Sequence, residues 1–129
     1  MAFKTMANPT VEVNNDVIAI VPGSLAFDPG WGETKVRTAS AGGDSKEFYT
    51  SDDAATQIGM VQFKLITAKN NVDLIKEWIG LRKLNGSTIT LSDAEYTESF
   101  SEMFISNKPE ISTGPDGETE VKFEGRGSF

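Results

Sequence analysis

Apolar and polar residues alternate most strictly from Ile58 to Thr67, where Val61, Phe63 and Leu65 are separated by Gln62 and Lys64. A period of two predicts a strand with one face on a core and the other toward water. Thr10–Val13 and Val17–Val21 read as an earlier pair of strands. Asn14-Asn15-Asp16 lies between them, and Asn and Asp tolerate the left-handed backbone of tight turns. Pro22-Gly23 ends the second strand, and Ser24-Leu25-Ala26-Phe27 is expected to resume it, with Leu25 and Phe27 on one face.

The period changes after Asn71. Val72, Ile75, Trp78 and Ile79 recur at helical spacing, and Leu74 and Leu81 widen the stripe. We expect a helix over Asn71–Leu84, capped by Asn70 or Asn71 and stopped by Asn85-Gly86. Asp73 and Glu77 lie toward its positive end, with Arg82 and Lys83 at the negative end. A helix this short needs a sheet to pack on.

Beyond it the β pattern returns. Ser87–Leu91 is a strand, Ser92-Asp93-Ala94 a turn, and Thr97–Ile105 a long strand with Glu98, Phe100, Glu102 and Phe104 on one side. That mixed face suits a subunit contact or a wet surface better than a dry core. Pro109-Glu110-Ile111 is expected to start a last hairpin, turning at Gly114-Pro115-Asp116-Gly117. Val121 and Phe123 then close the sheet before Gly125-Arg126-Gly127.

Asp28–Thr56 departs from all of this. It is rich in Gly, Ser, Thr and charge, and is too long for an unstructured loop in a compact domain. Two strand-like pieces, Glu33–Ala39 and Lys46–Thr50, flank Ser40-Ala41-Gly42-Gly43-Asp44-Ser45, so we read a long polar hairpin arm. Two strands alone are marginal in water, so such an arm is either a surface excursion or is ordered by a neighbouring subunit. The expected fold class is mainly β, with one helix at about 71–84 and the arm at about 28–56. Residues 1–129 contain no repeat or linker that would divide a single domain.

Composition narrows the chemistry. Cysteine and histidine are both absent, which removes disulfides, thiolate and imidazole metal ligands, and imidazole bases. The net charge is −7, and the acids cluster: between Leu84 and Val121 the only base is Lys108. Such a surface disfavours nucleic-acid binding by counterion release. Met1-Ala2-Phe3-Lys4 begins no apolar leader, and no run approaches the roughly 20 apolar residues of a membrane span, so a soluble product made in a cytoplasm is expected.

No catalytic design emerges from what remains. Ser51-Asp52-Asp53 lacks the convergent ligands of a cation loop and reads as a solvated turn or helix cap. Glu98 and Glu102 could imitate a hydrolytic carboxylate pair, but sharing one strand is weak support. Gly30-Trp31-Gly32 and Gly42-Gly43 form neither a P-loop nor a dinucleotide fingerprint. Trp31 is expected to be a packing anchor, and Trp78 a core residue. No cofactor, metal site or catalytic residue is assigned.

The order of these pieces resembles the phage tail tube proteins. "VNNDVIAIVPGSLAF" is similar to their opening hairpin. "ETKVRTASAGGDSKEFYT", "GMVQFKLITAKNNVDLIKEW", "GSTITL" and "PEISTGPDGETEVKFEG" continue the same layout over roughly residues 10–125. The resemblance implies a β-sandwich or half-barrel with one flanking helix. It further implies hexameric rings whose inner sheets close into a continuous barrel, stacked into a tube through which the genome leaves the virion. Secretion-tube proteins of type VI systems and pyocin tubes share that architecture.

On this basis the expected partner is the chain itself, with sheath, baseplate or tail terminator proteins beside it and DNA passing without specific binding. The expected location is a virion tail assembled in a host cytoplasm. Glu33, Lys35, Arg37, Lys46, Glu47 and Tyr49 are the candidate inter-ring contacts on the arm, and Glu98 and Glu102 the candidate lumen or subunit-contact residues. A monomeric β-rich binding module, such as a virion decoration or carbohydrate-recognition domain, is the alternative; Trp31 and Tyr49 would be its ligand platforms.

Overall fold

The computed structural model describes residues 9–40, 42–43 and 45–128. Its first feature is the hairpin of β1 (Thr10–Val13) and β2 (Asp16–Ile18), with Val13 opposite Asp16. Asn14 and Asn15 take φ of 53° and 71°, as a two-residue turn between twisted strands requires. Asn14 also ties the turn inward: its Oδ1 accepts from the Thr88 amide at 3.1 Å. β2 stops at Ile18 rather than at Val21.

The chain then leaves that edge. Val21 donates its amide to the Lys64 carbonyl at 2.9 Å, and Ser24 Oγ accepts from the Lys64 amide at 3.1 Å. β3 (Ala26–Asp28) consequently pairs with β6 (Gly59–Ile66), not with β1 or β2. The expected resumption of the second strand is therefore wrong. Pro22-Gly23 turns the chain onto a different strand, and Leu25 and Phe27 pack on the core from there.

The remaining strands are β7 (Ser87–Asp93), β8 (Tyr96–Ile105) and β9 (Glu118–Gly127). Together they give a seven-stranded antiparallel sheet in the order β2-β1-β7-β8-β9-β6-β3. Only two residues, Ala19 and Ile20, separate Ile18, on one edge strand, from Val21 beside β6, so the two ends of the sheet lie within about 11 Å. The sheet is thus curled into a half-barrel. Its interior holds Val11, Val13, Ile89, Leu91, Phe100, Met103, Ile105, Val121, Phe123, Val61, Phe63 and Leu65.

The helix α1 covers Lys69–Gly80 and lays Ile75 and Trp78 on this core. Trp78 meets Phe63 edge-on at 6.2 Å and Phe123 at 5.5 Å. The helix begins before Asn70, with Ala68 as its N-cap, so neither asparagine caps it. Asn71 Nδ2 donates instead to the Ile66 carbonyl at 2.8 Å. A 3-10 turn, Leu81–Lys83, follows Gly80, and there Arg82 donates to the carbonyls of Ile105 and Asn107 at 2.9 and 3.0 Å. Gly86, at φ 74°, accomplishes the stop.

Two further expectations fail locally. The β7–β8 turn is centred on Ala94-Glu95, one residue later than predicted, with Asp93 opposite Tyr96. The last hairpin lacks its first strand, because residues 106–117 form no strand. Asn107 takes that place with its side chain: Nδ2 donates to Glu120 O at 2.9 Å and Oδ1 accepts from Lys122 N at 3.0 Å. With the ladder positions on β9 filled by an amide side chain, the main chain is free to swing out toward Gly114-Pro115.

Candidate functional site: an exposed arm and an uncovered sheet face

The segment between β3 and β6 is a hairpin of two seven-residue strands, β4 (Glu33–Ala39) and β5 (Glu47–Asp53). Its register runs from Glu33 opposite Asp53 to Ala39 opposite Glu47. The second strand is three residues longer at its end than Lys46–Thr50. Of the connecting loop, Ala41 and Asp44 lie outside the described residues. The arm forms its own two-stranded sheet and places none of its described residues in the core.

Directly opposed residues share a face, so the register sorts the side chains. One face carries Glu33, Lys35, Arg37, Glu47, Tyr49 and Asp53; the other carries Thr34, Val36, Thr38, Phe48, Thr50 and Asp52. Five of the six residues singled out on the arm therefore do stand together, while Lys46 falls just outside the paired strands. The opposite face was missed. Val36 is 60% exposed and Phe48 68%, two large apolar groups with no cover. Strand alternation within Glu33–Ala39 and Glu47–Asp53 held that signal.

Contacts on the charged face are sparse. Lys35 Nζ lies 3.7 Å from Asp53, and Tyr49 donates its hydroxyl to Glu47 at 2.6 Å. That hydrogen bond, and to a lesser extent burial, raises the Tyr49 pKa. Among the described residues Arg37 makes no ion pair.

The arm's root is shaped by glycines. Gly30 and Gly32 have φ of 95° and 76°, conformations in which a side chain is strained. On the other limb Asp53 caps a 3-10 turn, Ala54–Thr56, through the Ala55 amide at 3.2 Å, which is the capping role expected for Ser51-Asp52-Asp53. Thr56 Oγ1 accepts from Glu33 N at 2.6 Å and binds the two limbs together. Trp31 projects here with 66% of its surface exposed, beside a cleft lined by Phe27, Pro29, Gly32 and Thr56. It is not a packing anchor; the two left-handed glycines turn it outward.

Glu98 and Glu102 do not share a face. β8 pairs Ser87 with Met103 but Ile89 with Phe100, so one extra residue is bulged on β8. Glu102 sits in that bulge at φ 52°. Beyond it the inward positions become Met103 and Ile105, and Phe104 turns outward with Glu102. Glu98 precedes the bulge and points inward at the rim, where Tyr96 donates to it at 2.5 Å and Ser128 Oγ also donates. The carboxylate-pair geometry is therefore absent.

Among the described residues, nothing covers the face of the sheet opposite the helix. Register places Glu12, Glu102, Glu118, Glu120 and Glu124 on it, with Lys64, Lys122 and Arg126 as bases. Lys122 pairs with Glu124 at 3.1 Å. Among the described residues no three His, Cys, Asp or Glu side chains are grouped to hold a metal ion, and no helix is long and apolar enough to cross a membrane.

No protein-family model matches the chain, and no curated protein matches it.

Proposed function

We propose that this chain is a structural subunit of a phage tail tube. The observation that carries the reading is the arm. A hairpin exposed on both faces, bearing Val36 and Phe48 to solvent, is poorly explained as a feature of a lone monomer. Copies of the chain form hexameric rings, the rings stack, and the arm is ordered against a neighbour. Sheath, baseplate or terminator proteins meet the ends or the outside of the tube.

The uncovered sheet face supports the same reading. It leans acidic, with five glutamates against three bases. As a lumen wall it would repel the phosphates of passing DNA, so that the genome slides without specific binding. On this reading Glu102 belongs to the wall and Glu98 to the rim of the core. The chain performs no catalysis and acts in the virion tail.

Negative-stain microscopy of the concentrated protein tests the proposal. Rings or tubes with a central channel are the expected result. A strictly monomeric species, even when seeded with tail components, overturns it.

A second reading rests on Trp31 and Tyr49, residues that are 66% and 55% exposed. A β-rich binding module would use them as platforms for a sugar or a virion surface. Loss of ligand binding in Trp31→Ala with unchanged assembly would favour that module.

A further inference from the structure

We infer that the arms of adjacent copies pair side by side, β4 of one copy against β5 of the next, into a continuous intermolecular sheet. This inference rests on the assembling-subunit reading and names a contact within it. A two-stranded sheet leaves the outer edge of each strand without a backbone partner, and both edges here are seven residues long. Edges of that length are templates for another strand. By contrast, the main sheet ends in strands of three residues each, β2 and β3, which offer far less to pair with.

Charge selects the partner. β4 carries Lys35 and Arg37 against Glu33; β5 carries Glu47, Asp52 and Asp53 and no base. Two β4 edges would bring like positive charges together, and two β5 edges like negative ones. A β4 edge against a β5 edge matches opposite signs, and a second copy of this chain supplies both.

Geometry agrees. With arms pointing the same way, β4 of one copy runs antiparallel to β5 of the next. The hairpin's own register, repeated between copies, sets Lys35 and Arg37 diagonal to Asp53 and Glu47 of that copy. Arg37, without an ion pair among the described residues, then gains one. The same step lays Phe48 beside Val36 of the adjacent copy and joins the exposed apolar patches into a band. The contact is head-to-tail, so it closes into a ring or grows into a filament according to the rotation between copies.

The chain contains no cysteine, so engineered thiols report without background. Val36→Cys and Thr50→Cys are prepared separately and mixed under mild oxidation; both positions are exposed or outside the core. The mixture should form disulfide dimers at least about tenfold faster than either variant alone, because the bond requires Cα atoms within about 7 Å. Equal rates in all three samples, or fastest dimerisation of Val36→Cys alone, overturn the pairing.

A second pair guards against a misfolded arm. Lys35→Glu/Arg37→Glu and Glu47→Lys/Asp53→Lys should each fail to assemble alone and should co-assemble when mixed. Assembly of each variant alone overturns the pairing. Rings by microscopy without the mixed cross-link sink the arm contact and leave the tube reading standing. The mixed cross-link without rings supports the arm contact and counts against the tube.

Discussion

The carbonyl of Glu102 stands where a side chain on Gly125 would have to go. Glu102 is the bulged residue of β8, at φ 52°, and Gly125 lies on β9 with Met103 opposite it. The bulge drives the β8 backbone into the space beside β9, and only a residue without Cβ leaves room. Gly125→Ala should therefore cost about 3 kcal/mol, the scale of overpacking a tight site. For a domain of this size that lowers Tm by roughly 10 °C. Glu102→Gly should act oppositely, stabilising by about 0.5–1 kcal/mol, because the left-handed conformation costs a residue with Cβ roughly 1–2 kcal/mol. Thermal unfolding of the two variants reads both signs, and equal effects would refute the account of the bulge.

Tyr96 and Glu98 give a spectroscopic prediction. The phenol donates to the carboxylate at 2.5 Å. This hydrogen bond, then burial, then the charge of Glu98 push the Tyr96 pKa up to about 12. The unfolded value is about 10. A pKa raised by folding contributes stability in full below about pH 10, and that contribution is lost as pH rises through about 12. In an ultraviolet titration, Glu98→Gln should bring one of the two tyrosines down toward its ordinary range. An unchanged high-pH titration would show that Glu98 is not the cause.

Parts of this molecule were legible because local chemistry decided them. Asn14-Asn15 fixed a two-residue turn, the alternation at Val61–Leu65 fixed a core strand, and the stripe through Ile75 and Trp78 fixed the helix face. Other parts depended on distant contacts. Nothing near Ser24 announces that its hydroxyl will meet Lys64, so the shift of Leu25–Phe27 to the far edge was invisible. The bulge at Glu102 was hidden for the same reason: it is permitted by Gly125, more than twenty positions away. That one extra residue separated Glu98 from Glu102 and undid the expected common face.

Asn107 replaces a stretch of main chain on the β9 ladder, and its two bonds to Glu120 and Lys122 should be measurable. Asn107→Ala leaves the Lys122 amide without its partner. At about 1 kcal/mol for each net hydrogen bond, we expect a loss of about 2 kcal/mol in urea unfolding. The Lys122 amide should also exchange with deuterium much faster, while Phe123 and Val121 stay protected. Uniformly faster exchange along β9 would instead mean that the whole strand is held by Asn107.

The arm can be removed at a position that geometry selects. Cutting out Lys35–Glu47 alone would join Thr34 to Phe48, which are four register steps apart in the hairpin. Thr34 and Asp52 are directly opposed, so replacing residues 35–51 with Asn-Gly closes the stub with a two-residue turn. No core side chain is lost, and Thr56 can still hold Glu33. The circular-dichroism spectrum of the sheet and helix should persist, with stability changed by less than about 1 kcal/mol, as for other substitutions away from the core. Assembly should fall sharply: sedimentation of the armless protein should show mainly monomers or single rings, where the proposed function predicts longer tubes for the intact chain. Tubes of normal length from the armless protein would show that the contacts holding copies together lie on the body of the half-barrel, and that the exposed Val36 and Phe48 serve something else.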